Sequence, residues 1–141
     1  MITEAFLVDH ITHTFAHVET AVNLGYTFFF YRDDHMHAFA TIASTGNEYE
    51  KVSALERPGV YRLNLGVGRE TFQSLFGRGR VDTGVYDFTA LDRLMPHPDY
   101  ASQHFVCVLS PSQETFEQHL RPLLAEAYQL AKQRYERRNG G

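Results

Sequence analysis

Val60-Tyr61-Arg62-Leu63-Asn64-Leu65-Gly66-Val67 is the stretch on which the fold class turns. Tyr61, Leu63, Leu65 and Val67 recur at every second position, with Arg62, Asn64 and Gly66 between them. A side-chain period of two is the mark of an extended strand with one buried face. Pro58-Gly59 punctuates the chain before it. After it, Gly68 leads into a short helix over 69–76, with Phe72, Leu75 and Phe76 inward, and Gly77 ends that helix.

Working towards the N-terminus, Met36 to Ala43 reads as a strand closed by Ser44-Thr45-Gly46-Asn47, and Arg32-Asp33-Asp34-His35 as the hairpin turn joining it to Thr27-Phe28-Phe29-Phe30-Tyr31. Asn23-Leu24-Gly25 is a turn preceded by a short strand at His17 to Val22. Thr3 is placed to cap a first helix whose apolar stripe is Phe6, Leu7, Ile11 and Phe15.

Towards the C-terminus, Gly77-Arg78-Gly79-Arg80 is a basic loop, Val85 to Phe88 a candidate strand and Thr89 to Met95 a helical turn stopped by Pro96 and Pro98. His104 to Leu109 is the last strand. Ser110-Pro111-Ser112-Gln113 has the form of a capping box with Ser110 as the cap. The helix it opens bends or restarts at Pro122 and turns Leu123, Leu124, Ala127, Leu130 and Ala131 inward. This order predicts an α+β domain spanning 1–141: two layers, a mostly antiparallel sheet with helices packed on one face. Phe28, Phe30, Val106 and Val108 cannot all share a face with Phe29, Tyr31, Phe105 and Leu109, so both faces are apolar. The second face is expected to be covered by a dimer partner, a ligand or the terminal helix.

Composition narrows the function classes. The 141 residues suit one core, with 43% hydrophobic and 21% charged residues. No segment approaches the roughly 18 to 20 apolar residues of a membrane helix, and no secretory signal opens the chain, so the cytoplasm is the expected compartment. Cys107 stands alone, which excludes an intramolecular disulfide and leaves it a small hydrophobe in an apolar run. A formal charge of −4 makes nucleic acid an unlikely partner, although Arg78, Arg80, Lys132, Arg134, Arg137 and Arg138 would be the residues to contact phosphates.

Four segments, TFFFYRDDHMHAFATI, PGVYRLNLGVGRETFQSLFG, YDFTALDRLMPHPDYASQHFVCVL and RPLLAEAYQLA, together resemble a bacterial family catalogued only as a domain of unknown function. That resemblance implies no catalytic residues. In element order the chain also resembles the MmcQ/YjbR-like proteins, two-layer domains shaped like secretion chaperones. There a His-Trp pair on a strand precedes a Tyr-bearing helix, and His104-Phe105 and Tyr128 stand at comparable places here. That likeness implies the fold, and DNA binding only by analogy.

Several groups of residues have the chemistry of a site. His10, His13 and His17 fall on one face of a continuous helix, and His35 and His37 on one side of a strand, but neither group specifies a complete metal site. Gly66-Val67-Gly68 is too short for a dinucleotide-binding turn and reads as a tight turn. No Gly-x-Ser-x-Gly or His-Glu-x-x-His pattern occurs, and no cofactor is implied. The titratable residues between positions 92 and 104, flanked by two prolines, form the one candidate pocket. Its candidate ligand-binding residues are Arg62, Asn64, His97, Tyr100 and His104. The expectation is a non-enzymatic binding or interaction module, a candidate homodimer. The alternatives are a small-molecule binder or enzyme using the 92–104 pocket, and a weak nucleic-acid binder.

Overall fold

Thr3 does cap the first helix, its hydroxyl accepting the Phe6 N–H at 3.1 Å in a computed structural model that describes residues 1–140. That helix is α1 (Glu4–Thr14), followed by β1 (Val18–Asn23), β2 (Tyr26–Tyr31), β3 (Ala40–Ala43), β4 (Arg62–Gly66), α2 (Arg69–Phe76), β5 (Met95–Pro96) and β6 (Phe105–Leu109). The C-terminal helix starts as α3 (Gln113–Thr115), passes through a π-helical stretch at Phe116–Leu120 and continues as α4 (Arg121–Asn139). All six strands form one antiparallel sheet in the order β1-β2-β3-β4-β6-β5. The α+β class with helices on one face is therefore the observed architecture.

The decisive stretch occupies the middle of the sheet. Leu63 and Leu65 of β4 join Phe29, Val106, Val108 and residues of α1, α2, the π-helical stretch and α4 in one core. The expectation of a half-buried strand needs correction, because Arg62 and Asn64 on the other face are 0% and 3% exposed. Pro122, in the first turn of α4, lacks the N–H that would bond the carbonyl of residue 118, and the preceding π-helical turn absorbs that mismatch.

Three local expectations change. The strand predicted from Met36 is confined to β3, since Asp34 Oδ1 accepts the Met36 N–H and the chain crosses over to bury Phe39 before pairing resumes. The strand at Val85 to Phe88 and the helical turn at Thr89 to Met95 are absent. Asp87 bonds both the N–H and the hydroxyl of Thr89, and such local side-chain bonds compete with regular structure. The cap of the C-terminal helix is Ser112, which accepts the Thr115 N–H at 3.1 Å, whereas Ser110 is buried and its Oγ accepts the Tyr61 N–H.

The terminal helix packs on the first face with α1 and α2, so it does not cover the second. There, loop residues Leu55, Val60 and Phe88 roof Ala43, Cys107, Leu109 and Met95 of β5. The remainder of that face is open.

Candidate functional site

Strand register sets the floor of the open part. Phe28 lies opposite Thr41, Thr41 opposite Asn64 and Asn64 opposite Cys107, one row running across four strands. In the next row Gly66 faces Phe105, and a β-carbon on Gly66 would stand 3.0 Å from Phe105 Cζ. The glycine lets that ring lie across β4. Phe28, Phe30 and Phe105 thus wall a groove of about 1010 Å³ with polar groups at its base.

Arg62 is the unusual member. Its side chain is fully buried, which for a guanidinium demands partners. Nε donates to Asn64 Oδ1 at 3.0 Å, Nη1 donates to Ser53 Oγ at 2.9 Å, and Nη2 lies 3.0 Å from Glu50 Oε1. The last contact is an ion pair without hydrogen-bond alignment, so Nη2 retains donor capacity. Tyr26 Oη donates to the same Glu50 oxygen; burial, reinforced by that bond, raises the phenol's pKa above its ordinary value. Asn64 Nδ2 in turn donates to Thr41 Oγ1 at 3.0 Å.

His97, held between Pro96 and Pro98, is 3% exposed and lines the same groove. Its Nδ1 accepts the N–H groups of Asp99 and Tyr100 at 3.0 and 3.1 Å, so the neutral ring carries its proton on Nε2. Burial, aided by the nearby Arg62 charge, pulls its pKa down to about 3. Around neutral pH His97 is therefore a fixed donor, not a proton-exchanging group. Among the described residues, Nε2 makes no hydrogen bond.

Four of the five predicted residues, Arg62, Asn64, His97 and Tyr100, line this groove. His104 does not; it lies against Phe72 in a separate hollow of about 580 Å³. The positions that sequence reasoning missed are Glu50 and Tyr26, which complete the ion-pair cluster, and Arg134, which reaches the groove from α4. An arginine on a strand with aromatic neighbours implies a buried counter-charge, but spacing could not say that a loop glutamate supplies it.

The histidine groupings disperse. His10 packs among Phe6, Phe15 and Phe116, His13 contacts Asp9, and His17 lies beyond α1 against Tyr31. His35 stacks on Phe30 and bonds Glu19, while His37 approaches Asp34. Among the described residues, no three His, Cys, Asp or Glu side chains gather as a metal would require. Cys107 is buried, which pushes its thiol up to about 12. Among the described residues, no helix is long and apolar enough to cross a membrane.

A family model described as a family of unknown function (DUF6194) matches residues 2–140, and the chain belongs to that family. No curated protein and no solved structure matches it. The MmcQ/YjbR-like resemblance accordingly finds no support, and the α+β class stands without it.

Proposed function

We propose that this member of a family with no assigned activity is a binding module rather than an enzyme, and that its open sheet face takes a small organic ligand. The carrying observation is the floor of the groove: a fully buried Arg62 pinned by Glu50, Asn64 and Ser53, beside an oriented His97, beneath three phenylalanines. Replacing a buried ion pair by apolar side chains is often neutral or stabilising, so packing alone does not favour one here. Few convergent polar groups in an apolar concavity are what ligand sites offer. Binding is favoured over catalysis because His97 Nδ1 is occupied by two backbone N–H groups and Cys107 is buried, so neither offers a free basic or nucleophilic atom to a bound molecule.

The test is a fragment library screened by amide chemical-shift mapping. Binders should perturb Phe28, Thr41, Asn64, His97 and Phe105 together. If binders map instead to the hollow at Phe72 and His104, or if none binds, the reading is wrong. Native mass spectrometry of the same protein tests the candidate homodimer independently, with a monomer excluding an inter-subunit site.

A further inference from the structure

We infer that the ligand of the groove is a small organic anion with a flat apolar body, its acidic group on Arg134 and an acceptor atom on His97 Nε2–H. This rests on reading the groove as a ligand site. The first ground is charge. Arg62 has its charge balanced by Glu50, although Nη2 keeps a free donor, and His35 contacts Glu19. Arg134 is half-buried and lines the groove too, and among the described residues its guanidinium forms no ion pair and no hydrogen bond. A half-buried guanidinium without a counter-charge is open to an anion, and a planar carboxylate is the partner that the edge of such a fork accepts with two parallel bonds. Asp99, the remaining acid of the lining, is exposed to solvent, where its repulsion is screened.

The second ground is shape. Phe28 and Phe30 stack with centroids 6.0 Å apart and planes 7° from parallel, and His35 continues that stack 4.3 Å from Phe30. Such a row presents ring faces and edges to a flat partner. Opposite it, Phe105 lies over Gly66. The third ground is His97, whose orientation by two backbone N–H groups leaves a single donor with no acceptor among the described residues. An anion carrying one further acceptor oxygen uses both donors.

The probes are 2-naphthoate and its neutral isostere 2-naphthamide, followed by their own fluorescence, which the absence of tryptophan makes readable. Naphthoate should bind at least about tenfold more tightly than the amide, a difference of ~1.4 kcal/mol. Arg134→Gln should abolish the preference for acid over amide, and Arg134→Lys, which keeps the charge, should restore part of it. Phe105→Ala should weaken both probes, with circular dichroism and melting checking that each variant is folded. Equal binding of acid and amide, both sensitive to Phe105→Ala, overturns the anion inference and leaves the groove standing. Binding of neither probe, or binding indifferent to Phe105→Ala, overturns the groove as well.

Discussion

Take away the Glu50 carboxylate and the Arg62 guanidinium is left charged beneath the sheet with only neutral partners. Glu50→Gln should therefore cost ~3–5 kcal/mol in urea unfolding. Arg62→Met with Glu50→Leu should recover much of that loss, because an apolar pair carries no desolvation penalty. A loss below about 1 kcal/mol for the single change would mean that the pair behaves as a solvated surface contact. His97 sets a pH dependence of definite sign. Its pKa is about 3 when folded against an ordinary 6.5, so between those values the unfolded chain binds more protons. Its contribution to stability is intact above pH 6.5 and falls as pH drops towards 3, by up to ~1.4 kcal/mol per unit. His97→Asn, whose Oδ1 can accept the same backbone N–H groups, should flatten the curve of stability between pH 7 and pH 5. Parallel curves for the two proteins would show that His97 is not buried neutral.

At the level of elements, the β1–β2 hairpin carries strain that can be removed. Leu24 and Gly25 sit at φ 53° and 78°, the two left-handed positions of a type I′ turn. Glycine suits this, but leucine at such a φ costs about 1 kcal/mol, and Leu24 is 59% exposed with no buried role to offset it. Leu24→Asn should raise stability by about 0.5–1 kcal/mol, read as a higher melting temperature. Gly25→Ala should do the reverse. Besides the strained φ, its β-carbon would meet Asn47 Nδ2 at 2.9 Å, the atom that donates to the Gly25 carbonyl. The turn was legible from Asn23-Leu24-Gly25, and so was the α2 stop at Gly77; the clasp by Asn47 was not, since it spans more than twenty residues.

Across the whole molecule, stability should grade from the middle of the sheet outwards. β4 and β6 carry buried side chains on both faces and are paired on both edges, whereas β1 pairs only with β2 and leaves Val22 77% exposed. Amides of β4 and β6 should exchange hydrogen only through global unfolding, and those of β1 through local opening at lower free energy. Equal protection would mean that another surface covers the β1 edge, as a homodimer would. Period-two alternation in 60–67, the aromatic run at 27–31 and the turn and cap residues were enough to determine the class and most elements, because these depend on neighbours a few positions apart. The tertiary structure alone decided that the terminal helix lies on the first face, that loops 47–60 and 86–94 roof part of the second, and that Glu50 and Arg134 line the groove there. It also separated His104 from His97, seven residues away, by a left-handed turn at His104 that sends its ring towards Phe72. Convergence of side chains distant in sequence is set by how layers pack, and packing is a property of the assembled chain.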